Sequence, residues 1–309
     1  MDKVVRKIIS KDGSMNFIIP YAKSFIEARY VRRTPHYVSA YVSSHNGCKM
    51  GCKFCWLTTQ NQTQFKHVGL NEYILQLKTI LDNVPTPVAE NEKANKIRIN
   101  VNFMGRGDAL ANKTVLLNYP DLYESMLETV TNAGFGDLKM NVSSILPYTI
   151  KQKNLFDIFL DYPVHLYYSL YSVNDAIKRQ LMPNAIDWRL ALDKLAKFQQ
   201  TTLGENSLVF HGAFIKNVND SQQDIENLVS EISKRNFKNT KFNLVRFNPP
   251  IGSNLQETSE DRLKEIFTFL SSHMNDNNLN KKSTLIERVG YDAYVSCGMF
   301  PQDDQIHEL

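Results

Sequence analysis

Six short runs rich in β-branched and aromatic residues alternate with six amphipathic runs. That alternation limits the fold more than any other feature of the sequence. The strand-like runs are 37–43, 97–104, 138–143, 164–170, 208–215 and 242–247. Their length and side chains suit strands. Between and after them, 71–83, 119–133, 149–160, 187–200, 221–232 and 259–275 repeat apolar residues at helical spacing. In the fifth of these, Ser221 precedes Asp224, and Ile225, Leu228, Val229 and Ile232 form the apolar stripe. Strand and helix in strict alternation mean parallel strands joined by crossover helices. The pattern does not itself separate an open sheet from a barrel. In either case, sites collect at the C-terminal ends of the strands.

The first strand-like run leads directly into Cys48, Cys52 and Cys55, spaced C-x3-C-x2-C. The chain's other cysteine is Cys297. Three clustered thiols leave an odd sulfur, and 309 residues with 42% hydrophobic content need no covalent staples. The opening residues are charged and lead into no apolar leader, and no segment has the roughly 20 apolar residues of a membrane helix. These features point to a reducing cytoplasm, where clustered cysteines hold metal or do chemistry. Zinc is one reading, with Cys297 or His45 completing a tetrahedral set. An iron–sulfur cluster is the other, because three thiolates on a [4Fe-4S] cube leave one iron for a small chelating ligand.

The cysteine spacing, with aromatic Phe54 before the last thiol, resembles the radical S-adenosylmethionine (SAM) superfamily. Further segments resemble the RlmN/Cfr family of RNA adenine methyltransferases, in matching order. Val42 to Cys48 is similar to V-S-S-Q-x-G-C. Met104 to Asn112 is similar to M-G-M-G-E-P-L-x-N, with Arg106, Asp108 and Ala109 as departures. Asn141 to Pro147, Ser169 to Asp175, Phe214 to Asp220, Phe242 to Pro249 and Gly290 to Gly298 are similar to later family segments. The resemblance spans about residues 36 to 300.

What the resemblance implies is an α/β fold: a radical SAM partial (β/α)6 barrel over 36–300. It would carry a short basic N-terminal extension (1–35), a C-terminal closing segment and an acidic tail (301–309). The implied cofactors are a [4Fe-4S] cluster on Cys48, Cys52 and Cys55, and SAM. Phe54 would lie beside the adenine of SAM. Gly107, Asp108, Asn141, Ser143, Ser169, Tyr171 and Asn248 would line the cofactor. Cys297 would be the catalytic thiol, accepting a methyl group from one SAM while a second generates a 5′-deoxyadenosyl radical. That radical takes hydrogen from the S-methyl group, and the carbon radical adds to an adenine ring carbon. The implied substrate is RNA, ribosomal or transfer. The implied electron donor is a flavodoxin or ferredoxin, and the protein is expected to be a monomer.

Two features depart from the family. Position 41, where the family has a second catalytic cysteine, is Tyr41, and a phenol forms no disulfide. With 47 residues before Cys48, the accessory domain that precedes the family barrel is expected to be absent. Residues 1–60 hold ten Lys and Arg against three acids in a chain of net charge +4. A basic helix-like stretch around Lys23–Arg33 is expected to contact phosphates in its place. Two other functions remain open: a radical SAM enzyme of different reaction or substrate, and a nucleic-acid-binding protein with a structural four-cysteine zinc site.

Overall fold

A computed structural model describes residues 6–34, 36–84, 97–201, 207–238, 240–275 and 282–302. The expected surface loop 86–95, most of the 274–282 loop and nearly all of the acidic tail lie outside the described residues.

The sheet has ten strands in sequence order. β1 (Arg6–Ile9), β2 (Met15–Tyr21), β3 (Ser24–Tyr30) and β4 (Tyr37–Val42) pair antiparallel. From β4 onward the pairing is parallel through β5 (Arg98–Phe103), β6 (Asp137–Ser144), β7 (His165–Ser169), β8 (Leu208–Gly212), β9 (Thr240–Val245) and β10 (Thr284–Ile286). The helices are α1 (Trp56–Thr59), α2 (Leu70–Leu81), α3 (Lys113–Leu117), α4 (Tyr119–Asn132), α5 (Leu155–Phe159), α6 (Asp175–Leu181), α7 (Trp188–Thr201), α8 (Gln222–Ser233) and α9 (Glu260–Asn275). The six expected strands are all present as β4–β9, and β10 adds one more.

The strands alternate sharply between two faces. On β5, Ile99 and Val101 enter the core, while Asn100 and Asn102 line an internal cavity. β6 sends Leu138, Met140 and Val142 to the core and Asn141 and Ser143 to the cavity. β7, β8 and β9 repeat the pattern, with Tyr167, Ser169, His211 and Asn243 facing the cavity. Parallel strands are normally apolar on both faces. A polar inner face marks the lumen as a place for a ligand rather than a packed core.

Two expectations need correction. The N-terminal extension is part of the sheet, and the stretch around Lys23–Arg33 contains strand β3, not a helix. Residues 21–24 form a tight hairpin turn, with Ala22 at φ 54. Glu27 and Arg29, which look solvated in sequence, are buried and ion-paired at 2.6 Å. The expected helix over 149–160 is a 3-10 turn, Tyr148–Ile150, followed by the short α5. The polar run 151–154 interrupts it, and Leu160 at φ 51 ends it. The Ser221 cap is present, accepting the Asp224 N–H at 3.1 Å.

The segment after β10 crosses to the N-terminal strands and bridges the two ends of the sheet. Gly290 N donates to Asp12, Lys11 N to Asp292 at 3.1 Å, and Asn16 Nδ2 to the Ala293 carbonyl at 3.2 Å. Arg33 adds a bond to the Glu287 carbonyl at 2.8 Å. This is the expected closing segment.

Candidate active site

A cavity of about 630 Å³ lies at the C-terminal ends of the parallel strands and runs down the polar lumen. Cys48, Cys52, Cys55, Cys297, Phe54, Gly107, Asp108, Asn141, Ser143, Ser169, Tyr171 and Asn248 all line it. Every site residue expected from sequence therefore faces one space.

The cysteine loop is held from three sides. Cys48 N donates to the Gln62 carbonyl at 3.0 Å, and Lys53 N to the Leu181 carbonyl at 2.9 Å. Asn184 Nδ2 donates to the carbonyls of Lys49 and Met50 at 3.0 and 3.2 Å. A Cβ at Gly47 would sit 2.5 Å from the Gln64 carbonyl, so only glycine lets the chain pass there. Burial pushes all three thiols up, Cys55 to about 11, and each of the other two is pushed further by its neighbours in the trio. Neighbouring thiols in a desolvated site resist ionisation unless a cationic group sits among them. Among the described residues, no three Cys, His, Asp or Glu side chains converge closely enough to ligate a single ion. Cys48, Cys52 and Cys55 line the same cavity, and three thiolates on a [4Fe-4S] cube leave one iron for a small ligand. His45 is turned away, its Nε2 2.9 Å from His67 Nδ1 and its ring stacked on Phe65 at 4.0 Å.

The loop after β5 is pressed against this one. Gly107 has φ +84, and a Cβ there would lie 2.3 Å from His45 Nδ1. Arg106, where the family motif has methionine, is fully buried. It pairs with Glu27 at 2.9 Å, donates to the Asn46 carbonyl at 3.2 Å and reaches Gln62. Asp108 accepts from Leu110 N and Ile145 N, both at 2.9 Å, and from Ser144 Oγ at 2.8 Å. It ties the end of β5 to the end of β6. Burial raises its pKa to about 6 against the pull of those hydrogen bonds.

Phe54 stacks on Tyr171, with centroids 4.1 Å apart and planes 10° from parallel. Asn141 Nδ2 is spent on Asn102 Oδ1 at 2.8 Å, while its own Oδ1 is buried without a partner. That orphaned acceptor fits a ligand donor. Asn248 is more committed than the sequence suggests: Nδ2 donates to the Cys297 carbonyl at 2.8 Å, and Oδ1 accepts from Arg288 at 2.7 Å. Its neighbour-holding role is at Cys297.

The Cys297 turn is clipped onto the cysteine loop. Trp56 N donates to the Gly298 carbonyl at 3.0 Å, Arg29 to the Met299 carbonyl at 2.9 Å and Gln62 to the Pro301 carbonyl at 2.8 Å. Cys297 presents its accessible surface to the cavity while protein surrounds it. Burial pushes its thiol up, and the guanidiniums of Arg29 and Arg33 oppose that. Tyr41 lines the same cavity.

His211 is a site residue that sequence reading missed. Its Nε2 lies 2.9 Å from Ser169 Oγ and 3.2 Å from Ser143 Oγ, joining two of the expected cofactor residues. Burial lowers its pKa to about 4, so it is neutral near pH 7. The missed signal was the strand alternation: Phe210 faces the core, which turns His211 inward.

No protein-family profile matches the chain. It is 28% identical over 298 residues to a Clostridium novyi protein named "Probable dual-specificity RNA methyltransferase RlmN", covering 96% of this chain and 78% of that protein. A Francisella tularensis dual-specificity RNA methyltransferase RlmN is 24% identical, over 97% and 76% of the two chains. Among solved structures, a radical SAM methyltransferase from Sphaerobacter thermophilus superposes with TM-score 0.70 at 19% identity, over 96% and 80%. Streptococcus suis SuiB bound to S-adenosylmethionine superposes with TM-score 0.53 at 13% identity, over 82% and 52%. A partial barrel with a three-thiol loop at its mouth defines a radical SAM enzyme. The chain is similar over nearly its whole length to proteins named RlmN, and that similarity implies a [4Fe-4S] cluster and SAM.

Proposed function

We propose that this chain is a radical SAM RNA methyltransferase that methylates an adenine ring carbon through a methyl group carried on Cys297. The observation that carries this reading is the meeting of Cys297 with Cys48, Cys52 and Cys55 around one cavity, from opposite ends of the sequence. When bound, the cluster and SAM supply the electron and the hydrogen-abstracting chemistry that the protein lacks. Cys48, Cys52 and Cys55 would hold the cluster. The Asn141 acceptor, the Ser143–His211–Ser169 set and the Phe54–Tyr171 stack would bind and orient SAM.

The protein's own work is to aim one sulfur. Asn248, Trp56 and Arg29 hold the carbonyls of Cys297, Gly298 and Met299, and the Cys297 side chain faces the cavity. The phenol of Tyr41 occupies the same cavity but forms no disulfide with Cys297. Product release here uses another group or an external thiol. The substrate is ribosomal or transfer RNA, and a small one-electron carrier of the flavodoxin or ferredoxin class supplies the electron. The protein acts as a cytoplasmic monomer.

The test is nucleoside mass spectrometry of RNA incubated with anaerobically reconstituted enzyme, reductant and methyl-labelled SAM. Labelled C-methyladenosine is the expected product. Label on Cys297 with none in RNA would favour a radical SAM enzyme acting on a different substrate.

A further inference from the structure

Lys178 is a buried lysine, 4% exposed, on α6. Its ammonium has weak contacts: Tyr168 Oη at 3.3 Å, the face of the Tyr168 ring at 5.2 Å from its centroid, and Met182 Sδ at 4.0 Å. No carboxylate pairs with it among the described residues. Asp187, the acid that acts on it from farther away, is itself paired with Arg189 at 3.2 Å. A buried lysine without a carboxylate partner is costly and rare. Its surroundings therefore call for an anion that the side chains do not supply.

The helix carrying it leans on the cysteine loop. Leu181 and Met182 pack in one apolar cluster with Met50 and Cys52. The Leu181 carbonyl accepts from Lys53 N at 2.9 Å, and Pro183 lies against Gly51. Lys178 thus reaches Met182, a member of the same apolar cluster as Cys52. A [4Fe-4S] cluster with three thiolates is a net anion, and it gains one more negative charge on reduction.

We propose that Lys178 is the buried counter-cation of the cluster, stabilising its reduced state and raising its reduction potential. The inference rests on the reading that Cys48, Cys52 and Cys55 hold a [4Fe-4S] cluster. Lys178 does not line the cavity. It is a tuning residue that acts through the apolar contact with the Cys52 loop.

The test is a redox titration of the anaerobically reconstituted chain without SAM, followed by visible absorbance and electron paramagnetic resonance. Lys178→Met should lower the reduced-to-oxidised ratio at a fixed potential about tenfold, a shift of about 59 mV for one electron. Lys178→Arg should stay near wild type. Lys178→Met carrying an intact cluster that titrates with wild type overturns the proposal. A wild-type chain that assembles no iron–sulfur chromophore overturns the cluster reading and the proposal with it. Thermal melting of the metal-free proteins gives a second readout. Metal-free Lys178→Met should melt above metal-free wild type, because it removes an uncompensated charge. A lower melting temperature would show that Lys178 serves a structural partner, and the proposal would fail.

Discussion

Glu27→Gln tests the electrostatic joint that holds the site together. Glu27 is fully buried and accepts from Arg106 at 2.9 Å, from Arg29 at 2.6 and 3.1 Å and from Asn16 at 2.9 Å. The triad is net positive even with the carboxylate in place. Glutamine has nearly the same shape, but it would leave two buried guanidiniums without a counter-charge and turn an N–H2 toward one of them. Breaking a buried ion pair by removing one partner costs ~3–5 kcal/mol. In a chain of this size each kcal/mol moves the melting temperature by about 2 °C, so a drop of about 6–10 °C is expected. The change also reaches the chemistry. Arg106 holds the Asn46 carbonyl beside the cysteine loop, and Arg29 holds the Met299 carbonyl beside Cys297. Calorimetry of wild type, Glu27→Gln and the all-apolar triple replacement Glu27→Leu, Arg29→Met, Arg106→Met reads the joint directly. The triple variant should be more stable than Glu27→Gln, because no charge is left unpaired. A melting temperature for Glu27→Gln within about 1 °C of wild type would refute the reasoning.

Other outcomes follow from the same geometry. Gly107→Ala should lose at least ~2 kcal/mol in a denaturant titration, from the left-handed backbone plus a 2.3 Å clash with a His45 ring held by Phe65 and His67. His211 has its folded pKa lowered from 6.5 to about 4, so its stabilising effect is full above pH 6.5 and fades as pH falls toward 4. Asp108, raised to about 6, works in the opposite sense: its contribution is full below pH 3.8 and is lost as pH rises through 6. Comparing wild type with His211→Asn cancels the Asp108 effect. The variant should gain on the order of 3 kcal/mol relative to wild type between pH 7 and 4, read by urea melts at each pH. Cys297→Ser should keep the iron–sulfur spectrum and lose all label transfer to protein and RNA.

Much of the fold is written as period-two and helical patterns, which is why β4–β9 fall within a few residues of their expected positions. The cysteine loop, the glycine loop and Cys297 were readable because their chemistry depends on residue type and spacing. The N-terminal strands were not. Glu27 and Arg29 look like surface charge until Arg106, 79 residues away from Glu27, supplies the buried third partner. Local sequence holds no trace of that pairing. His211 and Asn243 were hidden for a different reason: a polar residue every second position reads as an exposed strand face, and only closure of the sheet turns that face into a lumen. Asn248 was legible as a site residue, but its hydrogen bond to the Cys297 carbonyl joins positions that meet only in the folded chain.

The most direct test is iron and acid-labile sulfide analysis of the anaerobically purified, full-length chain, with electron paramagnetic resonance before and after adding SAM. The account predicts about four irons and about four sulfides per chain and a reduced-cluster signal that SAM perturbs. Zinc at unit stoichiometry, or a cluster whose signal ignores SAM, would contradict it.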